Sequence, residues 1–358
     1  MDTNTYNNDV DSIHSILKIE FTLLSNETIK KISALGEESN GIEIVDLYDD
    51  SEPRRGSLND PRGGTVSHDI ICATCGLDVD CPGHSMHINL AEYAFHIGYL
   101  SFVQKFLSCI CFNCSKILIH KNEDELREIL KKPPTERLAH VKNETKNINF
   151  CQKSNFGCGA QKPKIRTDIK KGSGAINMVA EMELKNDGEK TDATGEFLKT
   201  KATLLLNAEM VYEIFKKISD DDCRILGLDP TKSRPEDLIH KVLYVPPVQV
   251  RPSIRGDFGS GMGSEDDLTH KLGDIVRNNI KIIKNKENQT ANSTKYHSDY
   301  AHLLQYHIAT YMDNEGVAML KAIEHKGRPI KCVASRLKGK QGRIRGNLMG
   351  NKTGGVSL

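Results

Sequence analysis

The chain contains 358 residues, with 49 lysine and arginine residues against 48 aspartate and glutamate residues, ten cysteines and no tryptophan. This length is enough for two or three domains with buried cores, since one domain takes about 100–200 residues. Hydrophobic residues at 38% and charged residues at 27% argue against a disordered chain, a collagen-like fibre or a polytopic membrane protein. The net charge of +1 predicts no partner, because a sum near zero can conceal a basic segment that is balanced elsewhere.

The beginning of the chain shows no targeting signal. Residues 1–10 are polar, without the apolar core of a secretory signal or the arginines of a transit peptide. We therefore expect an intracellular protein. Cysteines in such a reducing compartment are more often metal ligands or catalytic thiols than disulfides.

Two stretches in the first third of the chain predict regular structure. Residues 19–24 predict a strand that leads into a helix capped by Ser25 and continuing to Leu35. The most apolar stretch, residues 88–112, contains charged and polar side chains that a membrane span would not tolerate. We interpret that stretch as a core helix.

Two close pairs of metal-binding side chains follow one another in the sequence. Cys72 and Cys75 form one pair and Cys81 and His84 the other, each with two residues between its members. This spacing allows a tight turn that directs both side chains of a pair at one ion, as in a zinc knuckle. A reactive thioredoxin-type pair fits less well, because a second pair is present and no βαβ pattern surrounds it. His87 is either a supporting group of this site or a packed core histidine, and we favour the latter.

A second set of four cysteines predicts another metal site. Cys111 and Cys114 form a close pair, and Cys151 and Cys158 follow after a long excursion of the chain. The entropic cost of closing such a loop grows only slowly with its length, but Cys109 is a rival ligand. Because four protein ligands would fill each site, we expect both sites to be structural, with no open coordination position for water. The remaining cysteines are expected to be buried or inert: Cys109, Cys223 and Cys332.

The central part of the chain predicts short helices. Residues 121–149 contain two periodic runs broken at a Pro-Pro pair, as in a helical hairpin, and residues 208–218 predict another helix. Residues 165–206 are polar, with an exposed hairpin or loop at 185–195. The three aspartates after Ser219 could suggest a magnesium site, but at a helix start we interpret them as capping residues.

Residues 244–254 contain three prolines and predict an extended crossing segment. Glycine-rich residues 256–263 follow and lead into a helix whose predicted buried face consists of Leu268, Leu272, Ile275 and Val276. A glycine-rich loop before a helix resembles a phosphate cradle. Three acidic residues occupy the turn, however, and no lysine signature accompanies it, so we interpret it as a mobile loop. Residues 302–311 continue a helical face that includes Leu303 and Leu304.

Positive charge is concentrated near the C-terminal end. Residues 326–352 contain nine lysine and arginine residues and no aspartate or glutamate. Glycines separate the charges between Lys338 and Arg345, which would let the backbone approach a polyanion closely. A basic run is often only a solvated tail, but this spacing predicts contact with nucleic acid.

Six motifs, taken in chain order, resemble the N-terminal portion of the largest subunit of multisubunit DNA-directed RNA polymerases of the eukaryotic, archaeal and giant-virus type. They lie at residues 58–62 (LNDPR), 72–88, 245–254, 265–269, 309–314 and 336–350. The resemblance extends from about residue 19 to residue 350 and is weak between residues 122 and 207. It is specific because all six motifs occur in family order.

The resemblance implies an α+β fold: a mixed, irregular multi-module clamp with two structural zinc sites. Residues 1–95 would form a clamp core with the first Zn²⁺, and residues 96–243 a clamp head with the second. Residues 244–350 would form a lid, a rudder and a switch segment entering the active-site region, followed by an atypical tail at 351–358. By match to the switch, the implied phosphate contacts at the DNA–RNA hybrid are Lys338, Lys340, Arg343 and Arg345.

Two departures from the family pattern stand out. The catalytic motif Asn-Ala-Asp-Phe-Asp-Gly-Asp, whose aspartates hold Mg²⁺ for nucleotidyl transfer, does not occur in the sequence. The residues after Gly350 also differ from the family continuation, which suggests a split gene, an intron read-through or a truncated product. We therefore expect no catalytic residue in this chain, no activity of the chain alone, and Mg²⁺ only in the complete polymerase.

The resemblance implies an N-terminal fragment of the largest subunit, which closes over DNA and grips the template strand during transcription. The implied partners are the second-largest and other polymerase subunits, the DNA template and the DNA–RNA hybrid, with no membrane. The implied location is the nucleus or, for a viral protein, the cytoplasm or virion. The alternative is a free-standing zinc-containing nucleic-acid-binding protein without attachment to a polymerase.

Overall fold

Helices and strands both occur in the computed structural model, as the predicted α+β class requires. The model describes residues 22–50, 52–119, 123–153, 157–169, 176–184, 200–253, 264–288, 291–315, 323 and 327–350. The strands within these ranges are β1 (Tyr48–Asp49), β2 (Glu52–Pro53), β3 (Met86–Phe95), β4 (Lys164–Ile169), β5 (Ile176–Leu184), β6 (Thr200–Leu206) and β7 (Ile239–Val245). The α-helices are α1 (Asn26–Lys31), α2 (Leu100–Cys109), α3 (Glu123–Lys131), α4 (Pro134–Thr145), α5 (Ala208–Lys216), α6 (Asp220–Ile225), α7 (Asp267–Asn288), α8 (Ala291–Met312) and α9 (Val333–Leu337). No helix in the described part of the chain is long and apolar enough to cross a membrane.

An antiparallel ribbon of β3 and β7 packs against the helix pair α7 and α8. The ribbon begins with Met86 opposite Val245 and ends with Phe95 opposite Ile239, with an irregular register in between. Apolar side chains of the ribbon and of both helices form one buried cluster. The two long helices therefore share a core with strands that lie far from each other in the sequence.

Two buried amide side chains from the helices complete the hydrogen bonding of the ribbon. Asn279 accepts a hydrogen bond from the N–H of Ala91 at 2.7 Å and donates one to the carbonyl of Asn89 at 2.8 Å. Gln305 bonds the N–H and the carbonyl of Phe95 at 2.7 and 2.9 Å. Because an unpaired buried peptide group costs about 1–3 kcal/mol, these amides fix the position of the helix pair on the ribbon.

A second core joins α2, α4, α5 and α6 to a three-stranded antiparallel sheet in which β5 is central. The prediction that residues 165–206 are merely polar overlooked this sheet. Buried and partly buried side chains alternate along β5, with Ile176, Met178 and Ala180 facing the core. This period of two is the pattern of a strand with one face buried. The predicted loop at residues 185–195 lies outside the described residues.

The expected core helix over residues 88–112 is wrong in its first half. Strand β3 continues to Phe95, a 3₁₀ turn follows at Ile97–Tyr99, and only Leu100–Cys109 is α-helical. Periodicity alone does not distinguish a short buried strand from a helix. Here the pairing of β3 with the distant strand β7 decides between them.

Helix boundaries agree with the sequence mainly where a cap or a proline marks them. The Ser25 hydroxyl accepts a hydrogen bond from the N–H of Thr28 at 3.1 Å, but α1 ends at Lys31, and residues 22–24 form no strand. Ser219 caps α6 in the same way, and the Pro-Pro pair separates α3 from α4 as predicted. The expected strand residues 19–21 lie outside the described residues.

The predicted faces of the long helices are largely confirmed. The four apolar positions predicted for α7 are all buried, whereas on α8 Leu304 is buried and Leu303 is 40% exposed. In the described part of the proline-rich segment, the first two residues end β7, a 3₁₀ turn follows at Val248–Val250, and no α-helix occurs up to residue 253. Its last residue, Ile254, and the glycine-rich loop at 256–263 lie outside the described residues.

Arg251 is a buried cation at the junction of three segments and is 1% exposed. Its guanidinium donates hydrogen bonds to the carbonyl of Leu58, to the side-chain oxygen of Asn59 at 3.2 Å and to the hydroxyl of Thr269 at 3.2 Å. Its Nε also donates to the carbonyl of Pro246 at 3.2 Å. One side chain thus joins residues 58–59, the proline-rich segment and the start of α7.

The charge of Arg251 is retained without a carboxylate among these four acceptors. Burial lowers the pKa of Arg251 to about 10, which still leaves the guanidinium protonated at neutral pH. A buried charge is tolerated only when hydrogen bonds replace its hydration. The three segments therefore have to be present together for the guanidinium to be satisfied.

The replacement Arg251→Met should destabilise the protein strongly. It leaves the buried acceptors at Leu58 and Asn59 without their donor, and each lost partner costs about 1–3 kcal/mol. We expect the free energy of unfolding to fall by at least about 2 kcal/mol in denaturant titrations in zinc-containing buffer. The control is Arg54→Met, because Arg54 is 41% exposed and pairs with Asp46 at 3.6 Å, so its loss should cost less than about 1 kcal/mol. Equal effects of the two replacements would contradict the role of Arg251.

Candidate metal centres and nucleic-acid interface

The structure brings the first predicted ligand set together. One candidate ligand atom from each of Cys72, Cys75, Cys81 and His84 lies within 4.8 Å of every other. The sulfur of Cys81 lies 3.5 Å from that of Cys75 and 3.6 Å from Nε2 of His84. Cys72 and Cys81 are buried, whereas Cys75 is exposed. The cluster therefore lies at the surface with its inner side covered.

Backbone amides point at the sulfur atoms of this cluster. The N–H of Thr74 donates to Sγ of Cys72 at 3.4 Å, and the N–H of Gly83 donates to Sγ of Cys81 at 3.4 Å. Burial raises the pKa of Cys72, but hydrogen bonds from the amides of Cys75 and Thr74 outweigh it and leave that pKa below its ordinary value. Amide donors of this kind stabilise the thiolate, which is the form that binds a metal.

Gln249 attaches the first cluster to the proline-rich segment. Its side-chain NH₂ donates to the carbonyl of Thr65 at 2.9 Å and to that of Cys81 at 3.0 Å. Gly83 has a φ of +84°, and a Cβ at this position would lie 2.4 Å from Oε1 of Gln249. The glycine of the second ligand pair is thus required both by its backbone conformation and by this close contact.

The second predicted ligand set is also assembled. The sulfur atoms of Cys111, Cys114, Cys151 and Cys158 all lie within 4.8 Å of one another. The Cys111 and Cys158 sulfurs are 3.4 Å apart, and those of Cys114 and Cys151 are 3.8 Å apart. Antiparallel bridges close the two contributing turns, at Ile110–Ile117 and at Phe150–Gln161.

Cys109 lies apart from this second cluster. It is fully buried in the core formed by α2 and its neighbours, and its sulfur lies 3.9 Å from the Thr145 hydroxyl. Cys223 and Cys332 are buried as well, as expected from their exclusion from the ligand sets. The geometry therefore favours the four-cysteine set without Cys109.

The donor atoms of both clusters fit zinc. Sulfur separations of 3.4–3.8 Å are too long for a disulfide, whose bond is about 2.05 Å, and are close to the roughly 3.8 Å expected around a tetrahedral zinc–thiolate centre. In the second cluster, burial raises the pKa of Cys111 to about 12, whereas a hydrogen bond from the amide of Ala160 lowers the pKa of Cys158 to about 6. Coordination by all four sulfurs would remove this difference, because a divalent cation stabilises every thiolate.

His87 is a packed core histidine, as the sequence interpretation favoured. It is fully buried on β3, with Nδ1 2.7 Å from the Ser33 hydroxyl and Nε2 3.3 Å from the carbonyl of Ser39. Burial lowers its pKa, so the neutral ring is favoured at neutral pH. Both ring nitrogens are thus occupied in joining β3 to the segment after α1.

The basic segment, residues 327–350 of the described chain, is anchored at its beginning by the acidic turn at the start of α7. The guanidinium of Arg336 donates to the Asp266 carboxylate, and the carboxylate of Asp267 accepts the N–H of Lys331 at 3.0 Å. Asp266 also accepts the N–H of Leu268 at 2.9 Å and so caps the start of α7. The acidic residues that argued against a phosphate cradle therefore serve as the docking point of the basic segment.

The later part of the basic segment carries exposed cations. Lys338 lies 3.4 Å from the Glu315 carboxylate, and Arg343 donates to the side chain of Asn347 at 3.0 Å. Among the residues that the structure describes, Lys340, Arg343 and Arg345 have no carboxylate partner. Lys340 and Arg343 line a groove of about 950 Å³ between the segment and the ends of β7 and α8. Lys326 and Lys352 lie outside the described residues.

Gln249 and Arg251 were not recognised as functional positions from the sequence. The available signal was two hydrogen-bonding side chains in residues 245–252, which are otherwise valine and proline. Polar residues in such a segment predict buried contacts, since an apolar neighbourhood leaves them no water to bond. The identity of their partners, however, depended on segments far away in the chain.

Two metal ions per chain are expected, and single replacements distinguish the rival ligands. Cys111→Ser should reduce the zinc content of the purified protein from two ions to one, because it removes a member of the second cluster. Cys109→Ala should leave two, because Cys109 lies outside that cluster. Elemental analysis after removal of loosely bound metal measures both. Loss of zinc in the Cys109 variant, or fewer than two ions in the unaltered chain, would contradict the assignment.

Two comparisons with known proteins identify the family of the chain. The family model described as RNA polymerase Rpb1, domain 1 matches residues 13–348. DNA-directed RNA polymerase subunit 1 of Acanthamoeba polyphaga mimivirus is 40% identical over 354 residues, which are 98% of this chain and 23% of that protein. The chain thus spans about a quarter of the length of this relative. On these two matches, the chain belongs to the family of RNA polymerase largest subunits and corresponds to Rpb1 domain 1.

Proposed function

We propose that this chain supplies the DNA clamp and the template-gripping switch of a DNA-directed RNA polymerase during transcription. Residues up to 95 would form the clamp core, residues 96–243 the clamp head, and residues 244–350 the lid, rudder and switch. Zn²⁺ at the two cysteine-rich clusters would hold the clamp in shape. Family membership favours this function over that of a free-standing zinc-containing nucleic-acid-binding protein.

The proposal is supported mainly by the distribution of carboxylate contacts along the basic segment, which, among the described residues, are present at its beginning and absent from its later cations. Arg336 and the backbone of Lys331 are tied to the acidic turn at the start of α7, whereas Lys340, Arg343 and Arg345 are exposed. The segment is therefore fixed at one end and offers cations at the other. Lysine and arginine in this arrangement bind phosphates through charge, without a need for base contacts.

The chemistry of nucleotidyl transfer would come from elsewhere in the complex. The catalytic aspartates that hold Mg²⁺ in this family have no counterpart in the sequence of this chain. We propose that the chain alone is inactive and that it works with the second-largest and other subunits on the DNA template and DNA–RNA hybrid. A nuclear, cytoplasmic or virion location would follow from the origin of that complex.

Removal of the unpaired cations should weaken the salt dependence of DNA binding. We expect the triple replacement of Lys340, Arg343 and Arg345 by alanine to reduce the slope of log binding constant against log salt concentration. The reduction should reach up to about 2.7, since each lost phosphate contact contributes about 0.9. Lys338→Ala should reduce the slope by less than a single replacement of Lys340, Arg343 or Arg345, because Glu315 already compensates part of the Lys338 charge. Fluorescence anisotropy with duplex DNA measures the slopes.

A matched control replaces by alanine three exposed lysines that lie outside the basic segment: Lys131, Lys216 and Lys217. Both triple variants lose three positive charges, so a general effect of net charge would change both slopes alike. An unchanged slope in the basic-segment variant, or equal changes in the two variants, would contradict the proposed template-gripping role.

A further inference from the structure

A second group of cations, far from the basic segment in sequence, lines a groove of about 690 Å³ between α2, α4 and the start of β4. Five lysines line this lysine groove: Lys105, Lys142, Lys146, Lys162 and Lys164. They come from three separate segments of the chain, so the sequence gives no basic run that would reveal them. The fold alone brings them together.

Two of these lysines are held in place by other contacts. Nζ of Lys162 donates to the carbonyl of Thr145 at 2.6 Å, where it satisfies the C-terminal end of α4. Nζ of Lys105 lies 4.8 Å above the centre of the Phe102 ring. These contacts fix part of the cationic lining at the groove before any ligand is bound.

The lining contains no acidic side chain. Besides the lysines it consists of polar side chains, including Gln104, Asn143 and Asn149, with a few apolar residues. Within the described residues, none of the five lysines has a carboxylate partner. Placing like charges along one groove without compensation is unfavourable, and an anion in the groove would relieve their repulsion.

The second cysteine cluster fixes one wall of the groove. The N–H of Lys162 donates to the carbonyl of Asn149 at 2.8 Å, and the N–H of Cys151 donates to the carbonyl of Ala160 at 2.8 Å. The turn that supplies Cys151 and Cys158 is thus continuous with the groove. This proximity suggests an alternative role for the lysines, which is to balance the negative charge of the cysteine thiolates.

We propose that the lysine groove is a second nucleic-acid phosphate site, separate from the basic segment and indifferent to base sequence. The proposal rests on the proposed function, in which the chain closes over DNA. Lysines bind phosphates as compact point charges, and contacts to phosphate carry no base information. An acidic peptide is less favoured, because peptide sites depend on buried aromatic or apolar anchor pockets.

The test removes charge from the three exposed lysines of the groove. Lys142, Lys146 and Lys164 are replaced by glutamine in the full chain, and Lys162 is kept because it supports α4. Binding to duplexes of different sequence and to poly-glutamate is measured by anisotropy across a salt series, and zinc content is measured in parallel. The control carries glutamine at Lys131, Lys216 and Lys217. The groove variant and its control are also made in the chain that already carries alanine at Lys340, Arg343 and Arg345, so that the groove is assessed without the basic segment.

We expect the groove variant to lose up to about 2.7 in salt slope relative to the control, with two zinc ions retained and equal effects on duplexes of different sequence. This result is independent of the basic-segment variant, so either site can fail without the other. A slope equal to that of the control overturns the proposal. So does reduced zinc content with an unchanged slope, which would assign the lysines to the thiolates. Weakened binding of poly-glutamate with unchanged DNA binding would assign the groove to an acidic peptide and overturn it as well.

Discussion

The buried guanidinium of Arg251 is the interaction on which the arrangement of the other segments depends. Its four acceptors come from residues 58–59, the proline-rich segment and the start of α7. From two of these segments a further contact leads outward: Gln249 of the proline-rich segment reaches the first cysteine cluster, and the acidic turn at the start of α7 holds the basic segment. A buried charge that is satisfied only by all three segments penalises any partly assembled arrangement. The first cysteine cluster and the candidate DNA-binding segment are thereby fixed relative to each other.

The two cysteine clusters and Arg251 each hold together segments that have little regular secondary structure. Irregular segments such as residues 58–85 and 110–119 contain little regular structure from which to build a core. Metal coordination at the two cysteine clusters would replace the missing apolar contacts locally, where ligands are supplied by tight turns. Arg251 joins segments separated by up to about 190 residues, where a local turn cannot act. The glutamine and asparagine side chains that complete the β3–β7 ribbon act in a similar way, by satisfying backbone groups that no strand covers.

Short-range patterns in the sequence were sufficient to predict the clusters and several helix starts. The Cys-x-x-Cys spacing by itself places both sulfur atoms within reach of one metal ion. A serine before an acidic turn predicts a helix cap because the capping hydrogen bond spans only three residues. Long-range pairing was not predictable in this way. Apolar composition predicts a helix where strand β3 lies, because β3 is defined by its partner β7 far along the chain, and the polar composition of residues 165–206 gives no sign of the strands β4 to β6. The basic segment was found as a charge run, but its docking on Asp266 and the five-lysine groove depend on contacts that only the fold creates.

The central claim is that one buried side chain makes the three segments a single unit, and hydrogen–deuterium exchange of an Arg251→Met variant tests it most directly. With metal content unchanged, amides in residues 57–63 and in residues 264–270 should lose protection together with those of the proline-rich segment. These amides include the N–H of Gly63 and that of His270, which are hydrogen-bonded at 2.8 and 3.1 Å. Faster exchange confined to residues 246–253, with the other two segments as protected as before, would contradict the account.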